Sequence, residues 1–241
     1  MKQLATILIL LFAMGPIKAQ NNRKINGNGN VTNVERNTSD YEHIAISGSF
    51  YIELVDGREG KITMVGEENI LDHIITEVNN NKLVIKVEKG FTLNPSKWKK
   101  GVSITIPIEQ INSLALSGSG DIVGKTIIKT EHFETAMSGS GDIALSLDVQ
   151  SVKASMSGSG DITLSGNTLN FEVNISGSGD VHAYDLNADN VVATVSGSAN
   201  IEVTALKKID AKVSGSGDID YRGNPEKVIS KVSGSGDITK H

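Results

Sequence analysis

Six aspartates stand in one frame: Asp121, Asp142, Asp161, Asp180, Asp218 and Asp237, with Asn200 in the same place between the fourth and fifth, recurring every 18 to 21 residues. If successive repeats stack as neighbouring strands, about 4.8 Å apart, these carboxylates form a column of oxygen donors. Such a column is the one arrangement in the chain that suits Ca2+. Two considerations weigh against a metal. The Gly/Asp repeats that bind Ca2+ in parallel β-rolls are nonapeptides richer in Gly, which this repeat does not match. In addition, an Asp beside a glycine corner can accept hydrogen bonds from freed backbone N–H groups or neighbouring Ser hydroxyls, and Asn200 fills that role as well as Asp does. Such bonds would also offset the repulsion between stacked carboxylates, which in water is about 1 kcal/mol or less per pair. The expectation is therefore a structural Asp column and no cofactor.

A second ladder runs beside it at Ser117, Ser138, Ser157 and Ser176. A serine nucleophile needs an adjacent base. His43, His73, His132, His182 and His241 fall at unrelated positions in the repeat, so no catalytic pairing is expected and the chain reads as a non-enzyme. The remaining candidate is irregular: Trp98 between Lys97 and Lys99, followed by Lys100, within a polar insertion from Phe91 to Gly101. An aromatic flanked by cations on a loop can stack on a sugar or dock a partner. The competing reading is a Trp lid over the first turns, with its lysines in solvent.

The element that positions these residues is the repeat itself. Ser-Gly-Ser-Gly-Asp-Ile is complete at Ser117–Ile122, Ser138–Ile143, Ser157–Ile162, Ser214–Ile219 and Ser233–Ile238, and it is varied at Ser176–Val181, Ser196–Ile201 and Ser47–Ile52. A period of 19–20 residues with fixed punctuation is the signature of a stacked solenoid. Between Val152 and Leu164 apolar and polar residues alternate strictly, which makes a strand with one buried face. The polar run Ser165-Gly166-Asn167-Thr168 shifts the parity, and the apolar set resumes as Leu169, Phe171, Val173 and Ile175. Each period thus holds two short strands and two corners, one turn of a β-helix. Two glycines per repeat and many β-branched residues argue against helix.

Met1 to Ala19 has the form of an export signal: Lys2, an apolar stretch Leu4–Met14 too short to span a bilayer, and Ile17-Lys18-Ala19 before the cleavage point. The chain has no Cys, which excludes disulfides and a lipid-anchored signal. Its net charge of −5 falls further when Lys2 and Lys18 are removed, which argues against nucleic acid as partner. No later stretch is long and apolar enough for a membrane span. Residues 20–40 read as a flexible Asn/Gly leader or first turn. Residues 41–241 read as one β-helix domain, with irregular turns over 41–116 and regular ones over 117–238. Ile70–Val78 is ambiguous between helical turn and strand, and Asn79-Asn80-Asn81 is a turn. After Ile238 no polar capping element follows, so the expectation is either a frayed last turn or another chain docked there, which includes self-association.

The Gly27-Asn28-Gly29-Asn30 leader, Ile44-Ala45-Ile46-Ser47-Gly48-Ser49, Gly66-Glu67-Glu68-Asn69-Ile70-Leu71, the Leu83–Val87 strand and the iterated Ser-Gly-Ser-Gly-Asp-Ile block together resemble the head GIN domain of putative auto-transporter adhesins, exported proteins of Bacteroidetes-type bacteria. The resemblance extends from about Asn26 to Ile238. It implies a right-handed parallel β-helix, a homo-oligomer, specifically a trimer, and a role in adhesion, and it carries over no catalytic residue. No autotransporter barrel is recognisable after the repeats. The expected function is an exported, adhesin-like protein, periplasmic, outer-membrane-associated or extracellular, binding a surface, polysaccharide or matrix partner. The alternatives are a self-associating structural component of the envelope and, third, a carbohydrate-active β-helix enzyme.

Overall fold

Alternating β-branched and small polar residues make each repeat a strand, and glycine corners of equal length place each strand over its predecessor. The computed structural model describes residues 22–96 and 101–241; the expected export signal at 1–19 lies outside them. In chain order the elements are β1 (Arg23–Asn26), β2 (Val31–Asn37), β3 (His43–Ser47), β4 (Phe50–Asp56), β5 (Lys61–Glu67), α1 (Glu68–Leu71), β6 (Ile74–Asn79), β7 (Lys82–Val87), β8 (Phe91–Asn94) and β9 (Val102–Ile108). The regular part follows as β10 (Ser113–Gly118), β11 (Asp121–Gly139), β12 (Ile143–Gly158), β13 (Ile162–Gly177), β14 (Val181–Gly197), β15 (Ile201–Gly215), β16 (Ile219–Arg222), β17 (Lys227–Gly234) and β18 (Ile238–Lys240). Stacked parallel coils form a β-solenoid of about 7 turns.

The register confirms the repeat at the Ser-Gly corners, while shifts elsewhere in the ladders absorb the unequal turn lengths. Ser117 pairs with Ser138, Ser138 with Ser157, Ser157 with Ser176, Ser176 with Ser196, Ser196 with Ser214, and Ser214 with Ser233. The inward positions form matching apolar columns, such as Leu116, Met137, Met156, Ile175, Val195 and Val213, all buried. One hydrophobic cluster runs from Tyr41 to Tyr221. No turn could bury its apolar face alone, so stability resides in these interfaces between neighbours.

The first glycine of each corner is fixed by backbone geometry. Gly118, Gly139, Gly158, Gly177, Gly197, Gly215 and Gly234 have φ between +127° and +155°, a region open to Gly and strained for other residues. Each also packs against the turn before it: a Cβ on Gly139 would lie 1.9 Å from the Gly118 carbonyl oxygen. The second glycine is less constrained in conformation, and that position also holds Ala199 and Phe50, both buried.

The structure differs from the sequence expectation at three places. The leader is not a loose segment: β1 pairs in parallel with β8, and β2 pairs antiparallel with β5. Arg36 pins β2, its guanidinium donating to the Leu71 and Ile74 carbonyls. Second, the irregular turns are not simply longer copies of the regular ones. Strands β3, β4, β7 and β9 continue the parallel stack, but β6 on one face, and β5 with β2 on another, close it antiparallel. Antiparallel neighbours need only a tight turn, and Asn80 and Asn81, at φ +50° and +59°, make the two-residue link between β6 and β7. The left-handed conformation that Asn tolerates matches a type I′ hairpin. The ambiguous segment resolves into both expected forms, α1 and then β6.

Third, parity does not change at Ser165–Thr168. Ile162, Leu164 and Thr168 all face inward, Gly166 takes φ +113° among them, and the shift comes one step later at Leu169–Asn170, two consecutive outward residues. Thr168 Oγ1 donates to the Asn170 carbonyl across that corner. Leu169, assigned to the core by the pattern, is therefore 51% exposed.

Candidate functional site

The Asp column is built by hydrogen bonds between turns. Asp142 Oδ1 accepts the Asp161 N–H at 3.1 Å, Asp161 Oδ1 the Asp180 N–H at 3.1 Å, and Asp180 Oδ1 the Asn200 N–H at 2.8 Å. Asn200 Oδ1 continues with the Asp218 N–H at 3.2 Å, and Asp218 Oδ1 with the Asp237 N–H at 2.8 Å. Each side chain thus serves a backbone donor where the strand ladder is interrupted by the corner. A carbonyl of Asn does this as well as a carboxylate, and Asn200 Nδ2 adds a bond to Asp180 Oδ1 at 3.1 Å. Asp121, at the start of β11, pairs with Tyr51 of an irregular turn and stands at the beginning of the column.

The ladder serines are exposed and in register. Two Ser–His pairs occur elsewhere: His43 Nδ1 with Ser113 Oγ at 2.9 Å, and His132 Nδ1 with Ser151 Oγ at 2.7 Å. Among the described residues neither histidine has a carboxylate on its other ring nitrogen, so the orienting third group of a catalytic triad is missing. Trp98, Lys97 and Lys99 lie outside the described residues. The chain on their N-terminal side is anchored, because the buried Glu67 carboxylate accepts N–H groups from Ser96 at 2.7 Å and Gly29 at 2.5 Å. Those bonds, led by the one from Ser96, hold Glu67 below the usual carboxylate range.

The chemically varied part of the regular surface is the parity-shift corner, which sequence reasoning missed. There two successive residues point outward in each turn: Glu131 and His132, Gln150 and Ser151, Leu169 and Asn170, Asp189 and Asn190. The next turn adds Leu206, 45% exposed, and Lys207, whose Nζ meets Asp189 Oδ2 at 2.7 Å. Asn190 Nδ2 donates to Asn170 Oδ1 at 3.1 Å, and Asn187 Nδ2 to Asn167 Oδ1 at 3.3 Å. On one side of this ridge lies a groove of about 420 Å³ lined by Asp148, Asn167, Leu169, Asn187 and Leu206. On the other lies one of about 370 Å³ with Ser151, Asn170, Asn190, Lys153 and Glu172. Amides that donate and accept, carboxylates and exposed leucines alternate at one-strand intervals. The available signal was Leu169 itself, an apolar residue directly before Asn170 in the frame where other turns carry Gln150 and Asp189.

At the open end of the stack, β17 is exposed along its whole length and presents Val228, Ile229 and Val232. No helix among the described residues is long and apolar enough to cross a membrane.

Comparison with known proteins gives a consistent picture. The family model "Putative auto-transporter adhesin, head GIN domain" matches residues 40–225. A crystal structure of a putative adhesin from Bacteroides fragilis superposes with a TM-score of 0.85 at 24% identity, over 90% of this chain and 100% of that one. A putative lipid binding protein from Parabacteroides distasonis gives 0.76 at 26% identity, over 91% and 100%. A putative adhesin from the same organism gives 0.73 at 20% identity, with the same coverage. No curated protein matches the chain.

Proposed function

Because the chain belongs to the head GIN domain family of putative auto-transporter adhesins, we propose that it is an exported, non-enzymatic, adhesin-like protein that binds a polysaccharide or matrix polymer along its parity-shift ridge. The observation carrying this reading is the ridge: paired outward residues of differing chemistry, stacked turn over turn on a continuous core, with one slip of register between Ala188 and Asn190. Asn167, Asn170, Asn187 and Asn190 can each donate to one hydroxyl and accept from another. Leu169 and Leu206 supply apolar contact beside them. A polymer lying across the turns meets several weak sites at once, and linked weak contacts give avidity no single one has. In this reading residues 41–241 are one domain, residues 1–19 direct export, and the location is periplasmic, outer-membrane-associated or extracellular. Trp98 with Lys97 and Lys99 forms a second contact point, and the Asp column is structural.

The test is a binding screen of purified mature protein against immobilised polysaccharides, matrix proteins and lipid vesicles, the last prompted by the relative named a putative lipid binding protein. Saturable binding to one polymer, weakened at least tenfold by Leu169→Asp with Asn190→Ala at unchanged melting temperature, supports the ridge. Binding that this double variant leaves intact refutes it.

A second reading is favoured by the exposed β17 edge: a self-associating envelope component, a homo-oligomer such as a trimer, in which another copy covers Val228, Ile229 and Val232. An oligomer seen by light scattering that dissociates with Val232→Asp supports this reading. A monomer at high concentration excludes it.

A further inference from the structure

We propose that Asp161, Asp180 and His182 form a site for one divalent transition-metal ion, with Glu202 holding the histidine from behind. One donor atom of each of the three lies within 4.8 Å of the other two. Asp161 and Asp180 are half-buried neighbours in the column, and His182 follows Asp180 by two residues, on the same face. The two Asp Oδ1 atoms are already committed to the Asp180 and Asn200 N–H groups. Their Oδ2 atoms have no hydrogen-bond partner among the described residues and remain for a ligand. His182 Nδ1 contacts Glu202 Oε2 at 2.9 Å, which assigns the ring proton to Nδ1 and leaves the Nε2 lone pair as the donor to a cation. A carboxylate behind a metal-binding imidazole is the common way to fix its tautomer and orientation.

What sets this turn apart is position. The residues two places after the ladder Asp or Asn are Val123, Ala144, Thr163, His182, Glu202, Asp220 and Thr239. Only the turn of β14 places a nitrogen donor there, and only the next turn places a carboxylate where it reaches that nitrogen. The arrangement carries three carboxylates against one imidazole, which a divalent cation compensates. One imidazole with two carboxylates suits Zn2+, Co2+ or Ni2+; Ca2+ takes oxygen donors alone. Rotations about the side-chain torsions bring separations of this size to those of a metal's ligands, given bond lengths of about 2.0–2.2 Å to Zn2+. The inference is independent of the adhesin reading.

The test uses mature full-length protein stripped with chelator, titrated with Zn2+ by calorimetry and with Co2+ by visible absorption. The expected result is one saturable Zn2+ per chain and a Co2+ d–d spectrum. His182→Ala should abolish both, and Glu202→Gln should weaken Zn2+ binding 10–100-fold. Asp161→Asn and Asp180→Asn should each weaken it at least tenfold while keeping the fold, because an Asn carbonyl still accepts the N–H of the next turn, as Asn200 does. His132→Ala serves as control and leaves binding unchanged. The proposal is overturned if the stripped protein takes up no Zn2+, if His182→Ala binds as the parent does, or if Ca2+ displaces Zn2+ at equal concentration.

Discussion

Adding one methyl group at Gly139 should loosen the stack more than any comparable change at a surface turn. This residue sits at φ +141°, and a Cβ built on it falls 1.9 Å from the Gly118 carbonyl oxygen. The same oxygen accepts the Ser140 N–H at 3.0 Å, so the clash cannot be relieved without lengthening a hydrogen bond between turns. Two costs combine: about 1–3 kcal/mol for a non-Gly residue in a sparsely populated backbone region, and about 1–3 kcal/mol for forcing atoms into a packed contact. Gly139→Ala should therefore destabilise by roughly 4 kcal/mol, which at about 2–4 °C per kcal/mol for a chain of this size lowers Tm by roughly 8–16 °C. The assay is thermal unfolding followed by circular dichroism, with two controls. Gly29→Ala has the positive φ (+81°) but nothing among the described residues within 4 Å of the added carbon, so the backbone cost applies there without the packing cost. Gly124→Ala has no positive φ, and its added carbon comes tighter than ordinary contact only to the Leu145 side chain, at 3.2 Å, with the Ala144 carbonyl oxygen at 3.5 Å, so it should cost less than about 1 kcal/mol. If Gly139→Ala melts no lower than Gly124→Ala, the stacked glycine corner does not hold the turns together as argued here.

The buried Thr135 hydroxyl has no hydrogen-bond partner among the described residues, so Thr135→Val should raise stability by about 1–2 kcal/mol, read as a Tm increase of a few degrees. Asp142→Asn should leave Tm nearly unchanged, whereas Asp142→Ala, which orphans the Asp161 N–H, should lower stability by about 1 kcal/mol. Millimolar Ca2+ should shift the Tm of neither the parent nor these variants. Glu67 has a folded-state pKa below its ordinary value, so its stabilising contribution is complete above the ordinary carboxylate pKa and disappears as pH falls through the lowered one. Hydrogen exchange at the Gly29 and Ser96 amides should accelerate, relative to base-catalysed reference rates, over that acid range in the parent; in Glu67→Gln, whose single carbonyl oxygen replaces two carboxylate acceptors, at least one of the two amides should exchange faster and neither should show the acid step.

Much of this fold is legible in the sequence because the repeat prescribes local conformation and long-range neighbours together. Ser117 and Ser138 are each other's partners for the same reason that each precedes a glycine with positive φ. The frame also separates the two glycines: across the turns the first is always Gly, while the second gives way to Phe50 and Ala199. The N-terminal closure was not legible, since antiparallel pairing of β2 with β5 depends on contacts from 24 (Asn37 with Lys61) to 36 (Val31 with Glu67) residues apart, with no repeat to mark them. Leu169 was misplaced because alternation alone cannot show where a chain turns a corner with two outward residues in succession. In the Asp column each side-chain oxygen accepts the N–H of the next turn, and Asn200 is the residue whose type makes such a role visible in the sequence. His182 was passed over because the histidines were sought as partners for serine; its place two residues after Asp180 becomes informative only when the neighbouring turns are laid beside it.

The stack is closed by antiparallel strands at one end and carries interchangeable turns towards the other. This asymmetry makes the repeat a unit of heritable length. Duplicating one 19-residue stretch in frame adds a layer and moves the distal end by about 4.8 Å, leaving the closure untouched and lengthening the ridge by one pair of outward residues. An insertion well outside the 18 to 21 residues of the existing turns puts a side chain where a corner glycine belongs. Variation in reach is therefore available in discrete steps, and variation in ligand preference can be written separately, one outward pair at a time.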